Sequence, residues 1–260
     1  MSTPVPTVEL PNGVTVAHVS ADEAEFLYRE IFTERCYLQH GLELRPGDVV
    51  FDIGANIGMF TLFAHLECPG VTVHAFEPAP VPYAALQANA ERHGVAGRFD
   101  QCAVSDLAGR GNLTFYPDAT LLSGFHPDPA ARDEMARTLG LNEGYTLEEI
   151  NNMLAQLPDT SEVIDTPVVR LSDVIAERGI TTVGLLKIDV EKNERQVLSG
   201  IDAADWPRIR QVVAEVHDLD GALDEVLGLL RGQGFTTVAE QAPLFAGSGI
   251  HQVTARRVDG

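Results

Sequence analysis

A histidine follows one of the most apolar segments of the sequence. His217 comes directly after residues 212–216, which read VVAEV and have the composition of a buried strand. Its unperturbed pKa of about 6.5 suits proton removal at neutral pH, and open α/β sheets bind ligands at the carboxyl ends of their strands. We therefore predict His217 as a general base, with Glu215 or Asp218 orienting the imidazole or raising its basicity. His126 is the alternative base.

Two acidic residues follow a second apolar segment, residues 185–188. Asp189 and Glu191 come at its carboxyl end, and we predict that they face the same crevice as His217 and act in catalysis there. An alternative uses Asp189, His217 and Asp218 as ligands of a divalent cation that polarises the acceptor. The sequence shows no tight ligand spacing of the kind that marks strong metal sites, so it favours chemistry without a metal.

A glycine turn follows an apolar strand in the first quarter of the chain. Residues 48–58 read DVVFDIGANIG, and residues 49–53 have the composition of a buried parallel strand. Gly54 and Gly58 permit a tight turn and a close approach of the backbone to a ligand, which the N–H groups of the following helix would also face. Asp52 at the mouth of the turn suits a ligand with a cationic head, such as the ammonium and sulfonium of S-adenosylmethionine.

Glu77 ends the next apolar segment, residues 71–76. At about 20 residues past the turn, a carboxylate can accept hydrogen bonds from both hydroxyls of a ribose, which indicates a cofactor that contains adenosine. The dinucleotide fingerprint G-x-G-x-x-G is not met, because Asn56 stands at its second glycine. A short-chain NAD(P)-dependent oxidoreductase would also need a Tyr-x-x-x-Lys pair, which neither Lys187 nor Lys192 completes.

These residues require a framework of alternating strands and helices. We predict an α/β fold with a doubly wound, mainly parallel seven-stranded sheet, whose last two strands form a hairpin with one strand antiparallel. Residues 1–47 would form an N-terminal lead-in cap, and residues 48–260 the catalytic domain. The predicted strands lie near residues 49–53, 71–76, 99–104, 185–188, 212–216, 235–239 and 251–257.

A long insert separates the third and fourth predicted strands. It exceeds the crossover of about a dozen residues that parallel strands need, and such an excess is usually functional. Pro129 can begin one helix, and Thr146 with Glu149 forms a capping box for a second. We predict that residues 117–166 form a helical lid over the acceptor, with a surface decoration or a contact between two copies in a homodimer as the alternatives.

Composition excludes several classes of partner. The chain of 260 residues has a formal net charge of −20, and Lys187 and Lys192 are its only lysines, so we predict no binding to nucleic acid. We expect no membrane association, since no apolar run approaches the length of a membrane span and no basic amphipathic helix occurs. The three cysteines lack C-x-x-C spacing and no signal peptide is evident, which favours reduced thiols and a cytoplasmic location.

Four motifs occur in an order that resembles a known family. They are DIGANIG at residues 52–58, AFEP at 75–78, QCAVSD at 101–106 and KIDVE at 187–191. Together they resemble the FkbM-type S-adenosylmethionine-dependent methyltransferases, which have the Rossmann-like class I methyltransferase fold. The lead-in EIFTERCYLQHGLELRPGD, residues 30–48, is similar to members associated with polyketide and peptide natural-product pathways.

The resemblance implies methyl transfer, usually to a hydroxyl, here of a small or carrier-protein-bound natural-product intermediate. It implies contacts from the glycine turn to the methionine part, from Glu77 to the ribose and from residues 101–103 to the adenine. Metal-assisted O-methyl transfer, N- or carboxyl-methyl transfer and a non-catalytic binding module stay open as alternatives. The cofactor-binding residues so predicted are Tyr37, Asp52, Gly54, Ala55, Asn56, Gly58, Glu77, Gln101, Cys102 and Ala103.

Overall fold

A seven-stranded sheet forms the centre of the structure, a computed structural model that describes residues 5–117, 119–125, 129–156 and 160–257. No helix within these ranges is both long and apolar enough to cross a membrane. The strands are β1 (Thr7–Glu9), β2 (Thr15–Ala17), β3 (Val49–Ile53), β4 (Thr72–Phe76), β5 (Gly97–Asp100), β6 (Ala103–Val104), β7 (Gly109–Phe115), β8 (Glu162–Val169), β9 (Leu185–Ile188), β10 (Gln211–His217), β11 (Thr236–Glu240) and β12 (Ile250–Arg256). The α-helices are α1 (Ala21–Tyr28), α2 (Met59–Glu67), α3 (Pro80–His93), α4 (Pro129–Asn142), α5 (Leu147–Gln156), α6 (Leu171–Glu177), α7 (Glu194–Ser199) and α8 (Ala222–Gly232).

The main sheet has the strand order β11-β12-β10-β9-β3-β4-β5. Every neighbouring pair is parallel except those of β12, which runs antiparallel to both β10 and β11. All four residues of β9 are buried, as are the last four of β3, because helices cover both faces of the central strands. The predicted α/β fold with a mainly parallel sheet is confirmed.

The third predicted strand is divided between two sheets. Residues 97–100 pair with β4 in the main sheet, whereas Ala103 and Val104 pair with β8 in a separate three-stranded sheet of order β6-β8-β7. The chain bends at residues 101 and 102 to pass from one sheet to the other. The sequence analysis missed this second sheet because β7 is largely polar and solvent-exposed along its first half.

The insert contains the two predicted helices, placed between β7 and β8. The capping box at the start of α5 is present: Thr146 Oγ1 accepts from the Glu149 N–H at 3.3 Å, and the Glu149 carboxylate accepts from the Thr146 N–H at 2.8 Å. The helices thus extend from the end of a β-hairpin, because β7 and β8 pair antiparallel along seven residues.

The N-terminal residues pack against the half of the sheet that carries the glycine turn. After α1 come a π-helical turn, Arg29–Thr33, and a 3-10 turn, Cys36–Leu38. Residues of these segments share one hydrophobic cluster with α2 and α3. The Asn89 side chain binds the Ala17 N–H at 2.6 Å, the Ala17 carbonyl at 2.9 Å and the Ile57 carbonyl at 2.8 Å, and so joins the β1–β2 hairpin to the glycine turn.

Candidate functional site

The carboxyl ends of β3, β4, β9 and β10 open onto a large cleft. It holds about 1110 Å³ of empty space, including space open to solvent. Polar lining residues include Glu30, Gly54, Asn56, Glu77, Asp189, Glu191 and Glu215. Apolar lining residues include Phe26, Leu121, Phe125, Met135, Leu139 and Phe245.

The glycine turn has the backbone conformation that its sequence predicts. Gly54, Asn56 and Gly58 have φ values of 73°, 49° and 82°, in the left-handed region that glycine and asparagine tolerate best. A Cβ on Gly54 would lie 1.7 Å from the carbonyl oxygen of Asp189. Glycine at this position therefore allows the ends of β3 and β9 to approach each other beneath the cleft.

Glu77 lies at the carboxyl end of β4 with its carboxylate facing the cleft. Its Oε2 accepts from the Asn56 N–H and its Oε1 accepts from the Ala79 N–H, each at 2.8 Å. Burial raises the pKa of Glu77 to about 7, against the lowering effect of the two backbone hydrogen bonds. A carboxylate oxygen accepts more than one hydrogen bond, so both oxygens retain the capacity to bind ligand hydroxyls.

Asp52 has a different role from the one predicted. Its carboxylate is fully buried, accepts from Thr61 Oγ1 at 2.7 Å and lies 3.1 Å from Lys187 Nζ. Lys187 Nζ in turn donates to the Gly54 carbonyl at 2.8 Å and lies 3.5 Å from Asp189 Oδ2. Asp52 does not line the cleft. It acts on the turn through Lys187, whereas the sequence analysis placed it in direct contact with a cationic ligand.

Three further predicted cofactor residues do not line the cleft. Ala55 is 4% exposed and belongs to the hydrophobic core, because its N–H donates to the Phe76 carbonyl and turns its side chain inward. Gly58 faces α3, where an added Cβ would lie 2.5 Å from Leu86 Cδ1. Gln101 is exposed at the bend between β5 and β6. The predicted residues that do line the cleft are Tyr37, Gly54, Asn56, Glu77, Cys102 and Ala103.

Tyr37 closes the cleft on the N-terminal side. Its hydroxyl donates to Asp189 Oδ2 at 2.8 Å, and its ring centroid lies 5.3 Å from Lys187 Nζ and 5.2 Å from that of Phe60. Burial raises the pKa of the phenol well above its usual value, so Tyr37 remains a hydrogen-bond donor. The lead-in segment thereby fixes the orientation of the Asp189 carboxylate.

His217 is not placed as a general base. It is 5% exposed and does not line the cleft; its Nδ1 lies 3.0 Å from Glu194 Oε1 and its Nε2 lies 3.2 Å from Glu191 Oε2. Burial lowers the pKa of the imidazole, but the two carboxylates outweigh burial and raise it well above 6.5. An imidazole whose two ring nitrogens both face carboxylates, and which does not line the cleft, is not in contact with an acceptor there.

The acidic residues predicted beside His217 do line the cleft. They are joined by Glu30, which the sequence analysis missed because it lies in the distant lead-in segment. Burial, followed by repulsion from Asp189, raises the pKa of Glu30 to about 8 and that of Glu215 well above its usual value. Burial also raises the pKa of Glu191, against the attraction of His217. The cleft thus has an acidic wall, formed by Glu30, Asp189, Glu191 and Glu215, that favours the binding of cations.

The first proposed set of metal ligands is not assembled. Asp218 is exposed, and its Oδ1 accepts from the Leu223 N–H near the start of α8. The rival base His126 lies outside the described residues.

Thr120, also missed by the sequence analysis, connects three segments at the rim of the cleft. Its backbone N–H and Oγ1 donate to the Glu23 carboxylate at 2.7 and 2.8 Å, and Oγ1 accepts from Asn56 Nδ2 at 3.1 Å.

Comparison with known proteins agrees with this geometry. The model of the Methyltransferase FkbM domain matches residues 52–237. The 31-O-demethyl-FK506 methyltransferase FkbM of Streptomyces tacrolimicus is 76% identical over 260 residues, with 100% of both chains covered. Methyltransferase sdnD of Sordaria araneosa is 34% identical, with 93% of each chain covered.

A solved structure supports the fold independently. Methyltransferase FkbM from Methylobacillus flagellatus KT aligns with a TM-score of 0.50 at 12% sequence identity, over 84% of this chain and 45% of that chain. At this identity the likeness speaks for the fold alone. The family match over most of the chain and the two relatives show that the chain belongs to the FkbM methyltransferase family and is a methyltransferase.

Proposed function

We propose that the chain is an S-adenosylmethionine-dependent O-methyltransferase that acts on a hydroxyl of a natural-product acceptor. The observation that carries the proposal is the position of Glu77, buried at the strand end, held by two backbone N–H groups and open to the cleft beside the Gly54 turn. A carboxylate in this position is suited to a ribose diol.

The residues present fit the cofactor. Glu77 would hold the ribose, Cys102 and Ala103 would border the adenine, and the turn at Gly54 and Asn56 would border the methionine part. The turn at Gly54 has no room for a side chain, because an added Cβ would overlap the Asp189 carbonyl. When bound, S-adenosylmethionine supplies an electrophilic methyl group, and the chain's contribution is to align the acceptor and exclude water.

The other half of the cleft is suited to a large apolar acceptor. Its wall includes Phe26, Leu121, Phe125, Met135 and Phe245, most of them from residues 117–166 or from the loop before β12. The relative in Streptomyces tacrolimicus is named for action on 31-O-demethyl-FK506. We infer the same acceptor, or a closely similar one, for this chain, with residues 117–166 as the wall over it.

A free acceptor fits better than one bound to an acidic carrier protein. The early arginines that would form a basic patch are each engaged within the chain: Arg29 pairs with Glu143 at 2.9 Å, and Arg35 pairs with Glu67 at 2.7 Å. Arg45 contacts Glu43. With a formal net charge of −20, the surface offers little attraction to an acidic partner.

Asp189 replaces His217 as the proposed proton acceptor. It lines the cleft at the end of β9, and Tyr37 and Lys187 both hold its Oδ2, which leaves Oδ1 for the acceptor hydroxyl. A positioned carboxylate within hydrogen-bond reach of the hydroxyl accepts its proton as the oxygen attacks the methyl carbon.

The test combines calorimetric titration of S-adenosylmethionine with turnover of 31-O-demethyl-FK506. We expect Asp189→Asn to lower kcat about 10²–10⁴-fold while cofactor affinity stays within about threefold. Asp218→Asn is the matched control, since it changes an exposed acid near the same sheet edge and keeps the Oδ1 that caps α8; both quantities should be unchanged. Absence of any cofactor binding to the wild-type chain would refute the proposal, and full turnover by Asp189→Asn would refute the role of Asp189.

A further inference from the structure

We propose that Glu191, Glu215 and His217 bind one divalent cation of the Mg²⁺ and Mn²⁺ class at the acidic wall of the cleft. One ligand atom from each residue lies within 4.8 Å of the other two. Ligands about 2.0–2.1 Å from such a cation lie up to about 4 Å apart, so small side-chain movements complete the site. Glu191 and Glu215 reach it from the cleft, and His217 reaches it from behind them.

His217 is oriented as metal-binding histidines are. Its Nδ1 lies 3.0 Å from Oε1 of Glu194, a carboxylate that is 2% exposed and also accepts from the Lys192 N–H at 3.0 Å. A metal-bound histidine typically donates its other ring N–H to a carboxylate in this way, which fixes the tautomer. The buried Nε2 faces the cluster and forms no hydrogen bond among the described residues, although Glu191 Oε2 lies 3.2 Å away.

The turn that carries Glu191 adopts a costly backbone conformation. Glu191 and Lys192 have φ values of 48° and 72°, and each non-glycine residue in this region costs roughly 1–2 kcal/mol. Gly124 of the insert packs against this turn, where an added Cβ would lie 3.0 Å from both Cβ and the carbonyl oxygen of Glu191. The surrounding structure thus holds the Glu191 carboxylate beside His217.

The charges of the wall are not balanced by the chain. Lys187 is engaged by Asp52 and Asp189, and the attraction of His217 acts on the Glu215 carboxylate against repulsion from Asp189, Glu30 and Glu191. Two carboxylates with one imidazole suit Mg²⁺ or Mn²⁺ better than the soft metals that thiolates select. An added divalent cation would supply the missing positive charge.

The catalytic consequence rests on the proposed function. Three protein ligands leave open positions on a six-coordinate cation, and one of these can take the acceptor hydroxyl. A cation in this position lowers the pKa of the bound hydroxyl, so that its proton passes more readily to the Asp189 carboxylate. The cation would take the place of the proton on His217 Nε2, which is released to solvent, so that His217 assists catalysis as a neutral ligand of the cation.

Binding of Mn²⁺ tests the site without reference to turnover. The full chain, freed of metals by a chelator, is titrated with Mn²⁺ while the free ion is followed by electron paramagnetic resonance. We expect one site per chain, competition by Mg²⁺, and at least about tenfold weaker binding in Glu191→Gln and Glu215→Gln. Glu30→Gln is the matched control: it removes another buried carboxylate of the same cleft that is outside the cluster, and it should weaken binding less than about threefold.

The outcomes separate this proposal from the proposed function. Glu215→Gln should keep the melting temperature and the affinity for S-adenosylmethionine while losing Mn²⁺, which excludes misfolding as the cause. Absence of saturable Mn²⁺ binding, or equal weakening by Glu30→Gln and Glu215→Gln, would overturn the site even if cofactor binding is intact. Full turnover of chelator-treated enzyme, with Mn²⁺ binding intact, would overturn the catalytic consequence.

Discussion

Replacement of Gly54 by alanine tests how closely the fold and the cofactor site are connected. Alanine at φ 73° costs about 1–2 kcal/mol for its left-handed backbone. Its Cβ would also lie 1.7 Å from the carbonyl oxygen of Asp189, a residue whose N–H is held by the Ile53 carbonyl at 3.0 Å. Overpacking of this kind typically costs a further 1–3 kcal/mol or so. We expect Gly54→Ala to lose roughly 2–5 kcal/mol of unfolding free energy in total.

Gly94→Ala separates the two contributions. Gly94 has φ 67°, close to that of Gly54, but nothing lies within 4 Å of an added Cβ. This variant should lose only the backbone contribution of about 1–2 kcal/mol and should keep its affinity for S-adenosylmethionine. Thermal unfolding measures the first quantity, and calorimetric titration should show at least about tenfold weaker binding in Gly54→Ala. Equal melting temperatures and equal affinities in the two variants would refute the reasoning.

Four further predictions concern buried charges. Glu77→Gln should weaken S-adenosylmethionine binding about 10–100-fold in titration, because hydrogen bonds to a charged acceptor contribute about 1.5–3 kcal/mol; an unchanged affinity would remove Glu77 from the ribose site. The wild-type affinity should rise with pH through about 7, where Glu77 ionises, and Glu77→Gln should lose that dependence. The pKa of Glu77 is raised from 4.5 to about 7, so its contribution to folding stability is full below pH 4.5 and is lost as the pH rises through 7. The free energy of unfolding should change by about 3 kcal/mol over this range, which unfolding measured at several pH values would detect. Lys187→Met should lose about 3–5 kcal/mol of stability, since it leaves the fully buried Asp52 carboxylate unpaired, whereas Lys192→Met should change it by less than about 0.5 kcal/mol; similar melting curves for the two would contradict this.

The main sheet and the position of Glu77 at a strand end beside the cleft were predictable because local patterns determine them. Short apolar runs that end in Asp189 or Glu77 mark buried parallel strands, whose carboxyl ends lie at the ligand-binding edge whatever the rest of the chain does. The capping box at Thr146 was likewise local, since its hydrogen bonds span three residues.

The roles of Asp52 and His217 were not predictable because they depend on partners far away in sequence. Asp52 lies opposite Lys187 in the parallel register of β3 and β9, so its carboxylate is neutralised inside the sheet. His217 meets Glu191 and Glu194 from the turn after a neighbouring strand, and these reverse the effect of burial on its pKa. The β7–β8 hairpin was missed for a related reason: alternating polar residues on an exposed sheet resemble a loop.

The separate sheet β6-β8-β7 bears on how this enzyme family can diversify. Its hairpin carries α4 and α5 and several apolar side chains of the proposed acceptor wall, while Glu77 and Lys187 belong to the main sheet, as does the strand that leads into the glycine turn. Replacing residues 109–169 by the equivalent hairpin of another member would exchange the wall without altering a strand pair of the main sheet. The proposed acceptor wall is in this sense a separable unit, attached to the rest of the chain at β6 and through the rim contact of Thr120 with Glu23.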